Sequence, residues 1–356
     1  MEKDHRVCPG PTMPLTNGTI GDVISTVREP HGAALPAIPA RATLRAVLSA
    51  AATRWTLGCL TSAIPMNRPG VWFGRGLIAT IMAAFGSMPG GTRIVPVTGP
   101  GLREEWVLGP GVEFGKRAGY YVHGSAYVIC SARTHRKLVA RWSQATGLPM
   151  FVVDYRLAPE HRFPAAADDV EAGYRWLLAQ GYAASDIVIG ADSAGGHLAC
   201  DMLLAHADDP HFRPAAVVLF APLIDLSLGL ALQQEAVRRD PAMSARAARR
   251  MVSLYLRGHD QADPRLRLDF ARADRLPPTL IQVGEYEMLS ADARYLDAEL
   301  RRAGATSTLE IWPGMVHVFQ ALPRLAPEAA AALRRAAAFI ADAYGDERSD
   351  TLEGVS

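Results

Sequence analysis

Apolar positions divide the chain into two unlike stretches. Over residues 41–88 they recur at helical spacing and predict two helix-like segments, Ala42–Cys59 and Trp72–Phe85, closed off by Gly90-Gly91. From about Thr92 the pattern changes to short apolar runs separated by longer amphipathic ones. Arg93–Val97 and Glu105–Leu108 read as strands that Gly99-Pro100-Gly101 can turn into an antiparallel pair. Strand-like runs follow at Tyr120–Val122, Met150–Val153, Asp186–Gly190, Ala216–Phe220, Thr279–Val283 and Thr308–Trp312. Helical patterns alternate with them at Thr134–Thr146, Ala165–Leu178, Ala194–His206, Ala291–Ala303 and Pro327–Tyr344. This order predicts an α/β fold: a mostly parallel central sheet with helices on both faces. Between Leu226 and Leu256 the alternation gives way to a longer helical insertion. Residues 41–91 and 226–256 are therefore expected to form a helical lid over the carboxyl edge of the sheet, where open α/β sheets bind ligands. Residues 92–345 would be the catalytic domain, with residues 1–40 a flexible arm rich in Pro and Gly and residues 346–356 a polar tail.

Composition narrows the classes. Lys+Arg at 37 against Asp+Glu at 36 gives a net charge of +1, so a nucleic-acid partner is not expected. Paired arginines at 238–239 and 249–250 read as a solvated helix face. Cys8, Cys59, Cys130 and Cys200 form no CxxC pair, which argues against a metal site or a disulfide scaffold; Cys130 and Cys200 read as buried packing residues. No secretory signal is evident, and the apolar stretch Val71–Phe85 is too short and too broken by glycine to span a membrane. A cytoplasmic location is the default expectation.

One strand-to-helix junction carries chemistry. In Val188-Ile189-Gly190-Ala191-Asp192-Ser193-Ala194-Gly195-Gly196-His197 a serine sits on the turn with small neighbours. A nucleophile elbow needs them, because its strained turn brings flanking residues close to adjacent elements. Upstream, Tyr120-Tyr121-Val122-His123-Gly124-Ser125-Ala126 puts small residues directly after a strand. Backbone N–H groups of Gly124, Ser125 and Ala194 are candidate oxyanion donors, and His123 is expected to orient the loop. His317, in Trp312-Pro313-Gly314-Met315-Val316-His317, follows a late strand and is the candidate base. Its orienting acid should follow Thr279–Val283, where Glu285 and Glu287 stand, with Asp292 a little later. Glu287 is preferred: Glu285 should point the other way in extended geometry, and Asp292 should lie on the next helix. Ser193, His317 and Glu287 then form a triad in the order serine, acid, histidine.

Over roughly residues 92–345 these segments resemble the hormone-sensitive-lipase-like esterases, the bacterial family IV carboxylesterases of the α/β-hydrolase fold. The resemblance rests on Val153-Asp154-Tyr155-Arg156-Leu157-Ala158-Pro159-Glu160 with Phe163-Pro164-Ala165, on Asp192-Ser193-Ala194-Gly195-Gly196, on Leu276-Pro277-Pro278-Thr279 and on Gly314-Met315-Val316-His317. It implies a serine carboxylesterase acting on short or medium acyl esters through an acyl-enzyme, with N-terminal helices as lid and an acid at Glu287, where relatives mostly carry aspartate. Two departures stand out. Relatives usually have His-Gly-Gly-Gly where this chain has His123-Gly124-Ser125-Ala126, and Ala191 replaces a glycine of the elbow. The added Cβ at position 125 should narrow the space beside the ester. The partner expected is a small-molecule ester, with no metal or cofactor. A lactone, or a catalytically weak ligand-binding protein, is the alternative; a peptidase is disfavoured, as no propeller-sized domain is present. The run Val71–Phe85 could line an acyl pocket or touch a lipid surface, its simplest role being a helix packed on the core. A homo-oligomer is compatible with the sequence.

Overall fold

The computed structural model describes residues 35–53, 67–97 and 103–345. Residues 1–34 of the arm anticipated over residues 1–40, the far end of the first helical segment, the turn at 99–101 and the polar tail lie outside these. Among the described residues two helices come first, α1 (Leu44–Thr53) and α2 (Arg68–Phe85). The second starts earlier than its apolar pattern, because Asn67 caps it by accepting the Gly70 N–H at 2.9 Å and Pro69 fits its first turn.

Eight strands follow: β1 (Arg93–Pro96), β2 (Glu105–Leu108), β3 (Ala118–Val122), β4 (Met150–Val153), β5 (Ile187–Asp192), β6 (Ala216–Phe220), β7 (Thr279–Gly284) and β8 (Ser307–Trp312). They form one sheet in the order β1-β2-β4-β3-β5-β6-β7-β8. The β1–β2 and β2–β4 pairs are antiparallel and the remaining pairs parallel. Strands β2 to β7 are buried along their whole length, while the edge strands β1 and β8 are partly exposed. That explains why the interior strands read as unbroken apolar runs: both faces of a parallel sheet are covered.

The cover is supplied by α3 (Ala132–Thr146), α4 (Ala165–Ala179), α5 (Ala194–Ala205), α8 (Ser290–Arg302) and α9 (Glu328–Ala343). Helix α3 packs on α9, and α4 on α5. The insertion after β6 contains α6 (Gly229–Val237) and α7 (Ala245–Leu256). Two readings of single residues change. Cys200 is buried, but Cys130 is only half-buried and borders a cavity. Arg249 and Arg250 are exposed on α7, whereas Arg238 is an ion-pair partner of Glu285 and lies over the ring of Tyr286.

Candidate active site

Parallel strands place the loops that follow them on one edge of the sheet, and the candidate residues lie there: Gly124 after β3, Ser193 after β5, Glu287 after β7 and His317 after β8. Ser193 has φ 51° and ψ −123°, a conformation that costs a non-glycine residue of order 1–3 kcal/mol. The surroundings hold it there. Its N–H donates to the Phe220 carbonyl at 3.0 Å, and its own carbonyl accepts from Gly196 and Leu223. Close packing explains the small residues: a Cβ on Gly195 would collide with the Val122 carbonyl oxygen. At position 191 the alanine is accommodated, fully buried.

Three side chains meet in a line. The Oγ of Ser193 lies 3.1 Å from Nε2 of His317, whose Nδ1 lies 2.6 Å from Oε2 of Glu287. The other carboxylate oxygen of Glu287 accepts the Gly284 N–H at 2.6 Å. Burial pulls the His317 pKa down, but the Glu287 charge and hydrogen bond, helped by Asp240 and Asp192, outweigh it and leave the imidazole above its ordinary value. Such a chain can draw a proton from Ser193 and hold it.

The two competing carboxylates are committed elsewhere. Glu285 pairs with Arg238 at 2.9 Å and accepts the Gly314 N–H at 3.1 Å, so it ties the loop after β8 to the insertion. Asp292 lies on α8, as anticipated, but is buried: its Oδ1 accepts the N–H groups of Ile224 and Asp225, and burial pushes its pKa up to about 7.

The loop after β3 is held by a network that its sequence did not reveal. The His123 ring stacks on Tyr155 with centroids 4.2 Å apart, and its Nδ1 lies 3.1 Å from the Gly124 carbonyl. Tyr155 donates its hydroxyl proton to the His123 carbonyl at 2.6 Å. The Ser125 hydroxyl, 2.6 Å from that tyrosine oxygen, must then be the donor in their contact, while it accepts the Tyr127 N–H at 2.7 Å. Each hydroxyl proton therefore has one acceptor. Ala126 and Tyr127 have φ of 44° and 63°, left-handed values at which a glycine would be unstrained.

Asp192, immediately before Ser193, was also missed. Its Oδ1 accepts from the Tyr121 hydroxyl at 2.8 Å, and its Oδ2 lies 3.3 Å from Nε2 of His135 on α3. Burial opposes charge on both groups. Their mutual attraction prevails, holding Asp192 below the usual carboxylate range and His135 above the usual imidazole range, with the Gly124 N–H also favouring the carboxylate. A Cβ at Gly124 would collide with this carboxylate, so only glycine lets the loop approach so closely. Asp240 is a third omission: it accepts the Met288 N–H at 2.8 Å, anchoring the insertion beside Glu287, and burial raises its pKa to about 6.

Above Ser193 and His317 lies a cavity of about 190 Å³. Its walls are apolar: Val71, Leu77, Ile78 and Met82 from α2, Ala248, Met251 and Val252 from α7, and Ile129, Leu228 and Val318 from loops. Both helical insertions thus contribute to the chamber over the sheet edge.

A strand-elbow-helix junction at the carboxyl edge of a mostly parallel sheet, with serine, histidine and carboxylate in contact, defines the α/β-hydrolase class. A family described as having the alpha/beta hydrolase fold matches residues 120–321. The chain is 36% identical over 271 residues to the carboxylesterase/phospholipase LipF of Mycobacterium tuberculosis, covering 72% of this chain and 71% of that protein. It is also 36% identical over 242 residues to an acetyl-hydrolase of Streptomyces hygroscopicus, covering 68% and 80% of the two chains. Among solved structures, an esterase of the bacterial hormone-sensitive lipase family superimposes with a TM-score of 0.75 at 32% identity, covering 85% of this chain and 99% of that one. The chain belongs to the hormone-sensitive-lipase-like carboxylesterases of the α/β-hydrolase fold.

Proposed function

We propose that this protein hydrolyses short- to medium-chain carboxylic esters through an acyl-enzyme, with Ser193 as nucleophile, His317 as general base and Glu287 as orienting acid. The observation that carries the reading is the continuous contact from Glu287 through His317 to Ser193 at the polar end of an apolar chamber.

As Ser193 Oγ bonds to the ester carbonyl carbon, its proton passes to His317 Nε2 and the carbonyl electron pair moves onto oxygen. The N–H groups of Gly124, Ser125 and Ala194 receive that charge. Ala194 heads α5, where the first N–H groups have no acceptor within the helix. The tetrahedral intermediate expels the alcohol, which takes the proton from His317, and Ser193 keeps the acyl group. A water then repeats the sequence: His317 takes its proton, its oxygen attacks the acyl carbon, and Ser193 leaves with the proton as the acid is released. Throughout, His317 Nδ1–H is held by Glu287, which fixes the tautomer with Nε2 facing Ser193. His123 acts at one remove, by orienting the loop that carries Gly124 and Ser125.

Cavity size supports the acyl range. An apolar cavity of about 150 Å³ accepts a benzene-sized guest, so the chamber here suits an acyl group of roughly six carbons. The test is turnover of p-nitrophenyl esters from acetate to decanoate, with a fluorophosphonate to label Ser193. Activity peaking at the middle of the series, and abolished together with labelling in Ser193→Ala, is the expected result. No turnover and no labelling of the wild-type protein would reject the reading.

A further inference from the structure

Between Glu29 and Glu104 the sequence contains seven arginines and no aspartate, glutamate or lysine, although the whole chain is nearly neutral at +1. This stretch includes α1 and α2, and those helices carry their apolar residues in an unusual way. On α1, Leu44, Val47 and Leu48 recur at helical spacing and are 76%, 42% and 61% exposed, while Ala46 and Ala50 face inward. The large side chains are outside and the small ones inside, the reverse of a helix built only to pack on a core. On α2, Trp72 and Phe73 are 79% and 57% exposed, whereas their neighbours Val71 and Gly74 are buried and line the chamber over Ser193. Arg41, Arg45 and Arg68 are exposed on the same two-helix segment. Arg75 belongs to another system, paired with Glu160 at 2.8 Å.

We infer that α1 and α2 form a docking face for an anionic lipid surface, with Leu44, Leu48, Trp72 and Phe73 entering the interface and Arg41 and Arg68 meeting the lipid headgroups. Apolar side chains beside arginines, on helices that themselves carry no acidic residue, match the chemistry of peripheral membrane contact. A neutral or cationic surface would gain nothing from the arginines, and a protein partner would not require an acid-free stretch of this length. Among the described residues no helix is long and apolar enough to cross a membrane, so the helices lie on the surface. The consequence for the proposed esterase rests on that reading: one face of α2 touches lipid and the other lines the acyl chamber, so an ester leaving the lipid layer has a short apolar path to Ser193.

The test uses the full chain and vesicles of phosphatidylcholine with phosphatidylglycerol in equal parts, against pure phosphatidylcholine, read by flotation. Binding to the anionic vesicles at low salt, weakened at high salt, is expected. The variant combining Trp72→Ala and Phe73→Ala should bind at least about tenfold more weakly. Neither residue lines the chamber, so its melting temperature and its rate on dispersed p-nitrophenyl acetate should match wild type. Arg41→Ala with Arg68→Ala should remove the preference for anionic over neutral vesicles. Ser193→Ala should float like wild type, which separates docking from turnover: binding without catalysis would reject only the esterase reading. Absence of flotation would overturn the inference. So would equal binding by the Trp72/Phe73 variant, or a dimer in light scattering that this variant abolishes while no vesicle is bound, since the face would then join two copies of the chain.

Discussion

Replacing Ser125 separates two accounts of the loop after β3. If the serine is merely an obstruction where relatives carry glycine, Ser125→Gly should open the site and speed turnover of branched esters. The hydrogen-bond network predicts the opposite. Ser125 Oγ accepts the Tyr127 N–H at 2.7 Å and donates to Tyr155, which in turn donates to the His123 carbonyl, and all four residues are buried. Deleting the hydroxyl strands the Tyr127 N–H in the interior, at a cost of about 1–3 kcal/mol. Tyr155 keeps its own donated bond, so its loss adds little. At about 2–4 °C per kcal/mol in domains of 150–250 residues, the melting temperature should fall by a few degrees. Kinetically the loop carries two of the proposed oxyanion donors. Losing one such donor outright costs about 10²–10³ in kcat, so loosening the loop should cost roughly tenfold to a hundredfold, with KM little changed. Ser125→Ala and Ser125→Gly should behave alike, because both lack the hydroxyl. Combining Ser125→Ala with Tyr155→Phe should cost less than the two changes added, since they break a shared bond. The assay is kcat and KM on p-nitrophenyl butyrate alongside thermal unfolding of each variant. A faster Ser125→Gly enzyme with an unchanged melting temperature would refute the network account and restore simple crowding.

Two further outcomes follow from the same geometry. The general base must be neutral, and Glu287 holds the His317 pKa above its ordinary 6.5, so kcat/KM should rise with pH through a limb above that value. In Glu287→Gln the burial that lowers the histidine pKa is left with less opposition. The limb should move to lower pH while kcat falls, by up to about 10⁴-fold, and a limb that stays in place would show that Glu287 does not set the titration. Ala126→Gly relieves a left-handed alanine at φ 44° and should stabilise the protein by up to about 1 kcal/mol; an unchanged melting temperature would mean that the loop stores no strain there.

What could be read from the sequence was what local pattern encodes. The strand order around Ser193, the small residues of the elbow and the late His317 are all signals within a few residues of chain. Each is explained by a close contact in the fold, such as Gly195 against the Val122 carbonyl. The preference for Glu287 over Glu285 followed from strand alternation, and the structure brings Glu287 to His317 while Glu285 turns to Arg238. The apolar spacing marks α2 only from Trp72, whereas the cap at Asn67 and Pro69 in the first turn start it at Arg68. An Asn followed by Pro two positions on is the local signal of that N-terminus.

The partners that remained hidden are those whose contacts span long stretches of chain. Asp192 and His135 are 57 positions apart in sequence yet 3.3 Å apart in space, and nothing near either residue marks the other. Ser125 and Tyr155 are separated by 30 residues in the same way. Both pairs bear on the loop after β3: Tyr155, just after β4, braces it through Ser125, and Asp192 meets it at Gly124. An acid–histidine pair buried in the interior is weak evidence for stability, since a well-packed apolar pair often does as well. Its value here is better sought in geometry. Asp192 touches Gly124 on one side and precedes Ser193 on the other, so a single carboxylate bears on the spacing between the Ser193 hydroxyl and the proposed donors. The serine that departs from the family pattern at position 125 then becomes a second brace on the same loop.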